Sequence, residues 1–233
     1  MKKIYKIAVL SVLFLNISIA YTQDSNITNK TSFWKSLKVN NELKNFHFNL
    51  EGQLRLKNYG QLYDESLFEI ELKYDLFKFL NFGYVKRFIN NYDDNGKKNG
   101  FENFYRDQFF LEISHKIKRS DFNLKLKNQK KFSVNKLLNH KNNHFWRLQF
   151  DYKYDIKKFK YNPKIGFEFF YKDKLDLSSE FDKYRIKLGT NFGNKNKFQF
   201  QYIYENETNS NNNQPNHILK FTNSFDILKK KKK

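Results

Sequence analysis

The sequence predicts an all-β chain folded as an antiparallel transmembrane β-barrel of about 10–12 strands. Three observations carry this expectation. The N-terminus has the pattern of an export signal. Apolar and charged residues alternate with period two through most of the remaining chain. The polar connections between these stretches alternate between short and long.

The average composition hides the pattern. Mean hydropathy is −0.84, a polar value, yet aromatics reach 19%, with 27 Phe and 15 Tyr. A polar mean with so many rings follows when greasy and charged residues take turns along extended segments. In a strand, successive side chains point to opposite faces.

The chain opens on MKKIYKIAVLSVLFLNISIAYTQ, a basic start followed by an apolar run from Ile7 to about Ala20. Ser18-Ile19-Ala20 supplies a small-x-small cleavage pattern, and the run is short for a bilayer span. Residues 1–22 are therefore expected to be a cleavable signal peptide. Residues 23–233 are expected to form one barrel domain, with strands between about 33 and 227 and a Lys-rich tail at 229–233. The chain has no Cys, so disulfides, thiolate metal sites and a lipid-modified cysteine are excluded.

The strands follow in order. Residues 33–43 alternate only weakly. Residues 46–57 put Phe46, Phe48, Leu50, Leu54 and Leu56 on one face and His47, Asn49, Glu51, Gln53, Arg55 and Lys57 on the other, with Gly52 in the gap. Residues 67–76 set Phe68, Ile70, Leu72 and Tyr74 against Glu69, Glu71, Lys73 and Asp75. Residues 80–89 are a weaker candidate. Residues 109–117 set Phe109, Leu111 and Ile113 against Glu112 and Ser114, and residues 122–132 set Phe122, Leu124 and Leu126 against Lys125 and Lys127. The most regular stretch is FWRLQFDYKYDI at 145–156, where Trp146, Leu148, Phe150, Tyr152 and Tyr154 oppose Arg147, Gln149, Asp151 and Lys153. Residues 163–172 oppose Ile165, Phe167 and Phe169 to Lys164 and Glu168. Residues 184–192 oppose Ile186 and Leu188 to Arg185 and Lys187, and residues 198–205 oppose Phe200 and Tyr202 to Gln199 and Gln201. Residues 217–227 are weak again. No long segment after residue 22 has a helical period.

Short turns are expected near 44–45, 76–78, 118–121, 157–160 and 193–196, and longer loops at about 57–65, 90–104, 133–143, 173–181 and 206–215. That asymmetry is the outer-membrane pattern. It places the long loops outside the cell and the short turns in the periplasm. Eleven candidates stand against the usual even count, so either 33–43 does not span, giving ten strands, or one strand is missed, giving twelve.

A soluble ligand-binding barrel also alternates, but with about eight strands. Here many candidates reach about ten residues, enough to cross a bilayer when tilted. Either charge sign occurs on nearly every polar face, which suits a lumen where charges pair. An Arg or Lys facing lipid at mid-depth would cost about 2–4 kcal/mol. The register therefore puts the apolar face on lipid. The expected lumen-lining residues are Glu51, Arg55, Glu69, Glu71, Lys73, Glu112, Lys125, Lys127, Arg147, Asp151, Lys153, Glu168, Arg185 and Lys187.

The formal charge of +20 does not point to nucleic acid. Part of it lies in the signal peptide and the terminal lysines, and the rest is scattered among acids rather than gathered in a patch. His140 and His144 share a metal-like spacing but sit in an Asn/Lys-rich loop without an intervening Glu. Ser114 and His115 are adjacent in a strand and point apart, so they form no nucleophile–base pair. Carboxylates on the polar face read as a salt-bridge ladder. No catalytic, cofactor-binding or metal residue is expected.

In order along the chain stand Phe33-Trp34, Glu51 with Arg55, Gly83-Tyr84, FYRDQFFLE from 104, WRLQFDYKY from 146, IGFEFFYK from 165 and YRIKLGTNF from 184. With these features, residues 33–227 resemble the outer-membrane β-barrel proteins of Gram-negative bacteria grouped as domain of unknown function 2490. The resemblance implies export, a barrel and no assigned activity. Such barrels usually finish on an aromatic residue; here Phe225 is followed by DILKKKKK.

The expected function is a non-enzymatic outer-membrane barrel, structural or a narrow pore. Two alternatives remain open: an outer-membrane enzyme acting on lipid or envelope substrates, and a secreted soluble basic β protein. The expected partners are the outer-membrane bilayer, the secretion and barrel-assembly machinery and small polar solutes, with no nucleic acid and no cofactor.

Overall fold

The computed structural model describes residues 31–93, 100–134, 143–157, 159, 161–173, 179–193, 196–208 and 215–228. The expected signal peptide, His140 and the lysine tail lie outside the described residues. The described chain is built of eleven strands: β1 (Thr31–Leu43), β2 (Phe46–Lys57), β3 (Leu62–Asp75), β4 (Leu80–Asp93), β5 (Gly100–Ile117), β6 (Ser120–Ser133), β7 (Asn143–Tyr154), β8 (Asn162–Asp173), β9 (Ser179–Phe192), β10 (Asn196–Glu207) and β11 (Asn216–Leu228). Each pairs antiparallel with its neighbour in sequence, and β1 closes the barrel by pairing in parallel with β11. Closure leaves no edge strand exposed.

The even strand count is corrected by this closure. Eleven strands fall within the expected 10–12, but neither even number holds, because β1 bonds to β2 on one side and to β11 on the other, and an odd sheet can close only through one parallel pair. The strand alternates weakly in sequence because its inner face carries Ser32, Trp34 and Ser36, two small residues and a ring. With an odd number of strands, the two ends of the barrel lie at opposite rims. β1 begins beside the start of β11, at the long-loop end, whereas β11 finishes at the short-turn end.

Several connections differ in length from expectation: the 90–104 and 173–181 loops shorten, because β4 runs on through Asp93 before β5 begins at Gly100, and β8 through Asp173 before β9 begins at Ser179. The 57–65 loop shrinks to residues 58–61, because β2 runs on through Lys57 and β3 begins at Leu62. Asn58, Tyr59 and Gly60 take positive φ values of 50°, 55° and 84°, which turns the chain within those few residues. The 157–160 turn widens to residues 155–161. The remaining asymmetry holds: two-residue turns at 44–45 and 118–119 close one end, while the 134–142 connection lies at the other.

Side-chain burial is inside out. Along β7, Arg147 (7% exposed) and Asp151 (9%) are buried, whereas Trp146 (41%) and Leu148 (39%) are exposed. The exposed apolar set continues around the wall through Phe68, Phe88, Phe109, Leu124, Phe167, Leu188, Phe200 and Phe221. Ring pairs lie at both rims of this belt. Phe46–Tyr74 and Tyr161–Phe192 pack at the short-turn end; Tyr63–Phe101, Tyr105–Phe132 and Tyr171–Phe181 pack at the long-loop end. Lys86 and Asp107 are outward charges, and they pair with each other at 3.3 Å.

Candidate functional site

The lumen is where this chain gathers its charge. Glu168 on β8 lies directly opposite Arg185 on β9 and Gln149 on β7, and it is 1% exposed. Four cations converge on its carboxylate. Arg147 Nη2 donates to Oε1 at 2.5 Å and Lys127 Nζ at 3.2 Å. Lys187 Nζ lies 2.8 Å and Arg185 Nη1 3.7 Å from Oε2. Charges so deeply buried are tolerated only when paired, and the alternation brings these residues together from four neighbouring strands.

Further pairs line the wall. Across the β2–β3 and β3–β4 ladders Arg55 meets Glu65 and Arg87 meets Glu69. Glu112 meets Lys125 at 3.0 Å, and Glu51 reaches past β1 to Lys220 on β11 at 3.2 Å. Glu205 receives Arg185 at 2.5 Å and Lys183 at 3.4 Å. Asp151 lies 3.7 Å from Lys164, Glu71 accepts from Asn49 at 2.6 Å, and Lys153 stands 4.0 Å from Asp121. Lys73 lines the mouth at the short-turn end with His47, Asp75 and Asn81. Every lumen-lining residue named from sequence therefore points inward, and Lys127, Arg147, Arg185 and Lys187 share Glu168.

Apolar residues also point inward, and the alternation gave no sign of them. Trp34, Ile203 and Ile218 form a buried cluster where β1, β10 and β11 meet. Leu67, Val85, Ile89, Phe110 and Phe170 are buried on other strands. Phe110 lies across Gly83 of the neighbouring strand, where any side chain would occupy the place of its ring. Cations cap these rings: Arg55 lies 3.9 Å above Trp34, Lys125 4.2 Å above Phe110 and Arg147 4.5 Å above Phe170. Rings and ion pairs together line the middle of the lumen. Cavities remain at each end, one of about 670 Å³ at the short-turn mouth and one of about 220 Å³ in the long-loop half.

Sequence reasoning missed Lys38, Glu65, Arg87, Arg106, Lys183 and Lys220 as lumen groups, whereas Gln129 and Glu205 stand on the polar faces read from the alternation of their strands. Arg87 and Lys220 sit on strands whose faces are both partly apolar, which blurs the pattern. Glu205 was legible, since it continues the polar face of Gln199 and Gln201.

The arrangement offers little to acid–base chemistry, because its buried carboxylates are held by cations. Ser114 accepts from Asn123 at 3.0 Å inside the wall, while His115 points outward. His144 faces outward, beside Asn128 at 3.0 Å and Asp173 at 2.6 Å. Among the described residues no group of three His, Asp or Glu could hold a metal ion.

Fold and lumen define a class: a closed all-β barrel with an apolar exterior and an ion-paired interior. Residues 31–216 match the model of the family described as Protein of unknown function (DUF2490), and the chain belongs to that family. No curated protein and no solved structure matches it.

Proposed function

We propose that this chain is a non-enzymatic β-barrel of the bacterial outer membrane, exported through its N-terminal signal and sealed by its own side chains. The observation that carries the reading is the apolar belt. Large exposed hydrophobics such as Phe109 (52%), Leu72 (51%) and Leu188 (46%) surround the barrel on the face opposite its buried charges. A water-soluble protein rarely leaves so much contiguous apolar surface uncovered. A membrane barrel requires it, flanked by aromatic rims. The basic surplus supports lumenal pairing rather than nucleic-acid binding, because the clustered cations face inward. The barrel's partners are then the bilayer and the machinery that exports and assembles it.

A narrow pore is the second reading, favoured by the cavities that indent the lumen from both ends. Fractionation followed by planar-bilayer recording tests both. The mature chain should stay with outer membranes through carbonate and high salt and need detergent for release. Purified protein should conduct far less than an open sixteen-stranded porin. Release by salt alone would contradict the barrel reading, and a large steady conductance would contradict the seal.

A further inference from the structure

We propose that the long-loop half of the lumen is a binding site for a small phosphate-bearing anion, either inorganic phosphate or a compact phosphate ester. Arg55, Arg87, Arg106, Arg147, Lys183 and Arg185 line one cavity of about 220 Å³, against Glu65 and Asp182 in the same lining. Six cations from five strands facing one space repel one another unless their charge is answered.

The carboxylates behind them answer it only in part. Arg55 has Glu65 and Arg87 has Glu69, but Glu168 must serve Arg147 and Arg185 together with Lys127 and Lys187. Glu205 is likewise divided between Arg185 and Lys183, the latter also reaching Glu207 at 3.5 Å. Arg106 is the most exposed to this imbalance. Arg87 stands directly opposite it across the β4–β5 ladder, and Arg55 and Arg147 share the cavity lining with it. The Nε atoms of Arg106 and Arg147 are both buried without a hydrogen-bond partner. Arg147 lines the cavity and is only 7% exposed, and its Nη atoms already donate to Gln129 and Glu168.

Chemistry selects the ligand. A guanidinium offers a planar fork that matches two oxygens of a carboxylate or phosphate. A single carboxylate is spent on one or two forks. A phosphate presents oxygens in several directions and can accept from guanidiniums arriving from different strands around the wall. The volume is below the roughly 300–1,000 Å³ usual for drug-sized ligands, which limits the occupant to an ion or small ester. Two β-bulges, at Arg55/Leu56 and Phe170/Tyr171, flank the site and re-aim the chain there. The ring of Phe170, beneath Arg147 and Arg185, forms part of the lining.

The test uses the full mature chain folded in a zwitterionic detergent, which makes it independent of where the protein resides in the cell. Inorganic phosphate, inorganic pyrophosphate and, as the control at equal ionic strength, chloride are titrated calorimetrically. The expected result is saturable binding of phosphate or pyrophosphate and none of chloride. Arg106→Gln should weaken it at least tenfold, while Lys153→Gln, on the short-turn side, should leave it unchanged. Should Arg106→Gln fail to fold, the wild-type protein still decides: phosphate must raise its unfolding temperature where chloride does not. Absence of saturable binding, equal binding by Arg106→Gln, or binding only to micelles doped with phosphatidic acid would overturn the proposal. In the last case the phosphate would be a lipid headgroup on the outer wall.

Discussion

Arg147 Nη2 and Glu168 Oε1 lie 2.5 Å apart inside the barrel, with only 7% and 1% of the two residues exposed. The pair is the centre of a network, because Glu168 is also the anion for Lys127, Arg185 and Lys187. Removing one partner of a buried ion pair typically costs about 3–5 kcal/mol, since the other charge stays buried. Glu168→Gln should therefore lower the urea midpoint of the heat-modifiable barrel strongly. Lys153→Gln removes a half-exposed partner 4.0 Å from Asp121 and should cost less than about 1 kcal/mol. Equal effects would mean that the lumen is wet and the network screened.

Leu148 and Gln149 are chain neighbours on opposite faces of β7. Leu148 is 39% exposed on the outer wall; the side chain of Gln149 accepts from Lys127 and donates to Asp151 at 2.5 Å. Leu148→Arg puts a charge on the apolar belt, at about 2–4 kcal/mol in lipid. Gln149→Glu puts a carboxylate beside Lys127. The amount of folded, heat-modifiable protein in outer membranes should fall sharply for the first and stay near normal for the second. The reverse order would invert the faces.

Phe110 is 2% exposed and lies over Gly83. Phe110→Ala removes a ring from the filling of the lumen, where water can take its place. Single-channel recordings should show a conductance above that of the wild type, together with a lower unfolding midpoint, on the order of 3–5 kcal/mol for Phe→Ala at a packed site. Unchanged conductance would show that other inner side chains form the seal.

The odd closure is checked by cross-linking. Leu37 and Asn223 are paired across the parallel seam, both on the outer side, and the chain contains no native cysteine. Leu37→Cys with Asn223→Cys should form a disulfide on mild oxidation, whereas Leu37→Cys with Phe225→Cys, shifted by one pleat repeat, should form it poorly. The opposite preference, or no cross-link in either, would contradict the seam.

Where one face of a strand is mostly polar, the sequence was enough. Residues 145–156 display the belt and the lumen side by side, and the inward positions of Arg147, Asp151, Glu168 and Lys187 follow from counting by twos. β1, β4 and β11 resisted for one reason. Each turns apolar residues inward as well, Trp34 on β1, Val85 and Ile89 on β4, and Ile218 on β11, so alternation fades where the lumen is being filled. Partner choice was also hidden. Nothing in the spacing of Lys127, Arg147, Arg185 and Lys187 assigns all four to Glu168; that depends on the register of four strands. The parallel seam between β1 and β11 joins segments nearly the whole chain apart and leaves no local mark.

The two tryptophans test the inside-out arrangement most directly, because each lies three residues in from the long-loop end of its strand and they face opposite ways. Trp146 is 41% exposed on the outer wall, and Trp34 is 8% exposed beneath Arg55 in the lumen. The measurement is fluorescence quenching by brominated lipids in reconstituted Trp34→Phe and Trp146→Phe proteins, each keeping one tryptophan. The expected result is strong quenching of Trp146 in the first and little quenching of Trp34 in the second. Equal quenching of the two, or quenching of Trp146 by aqueous iodide and not by brominated lipid, would contradict a membrane barrel in this register.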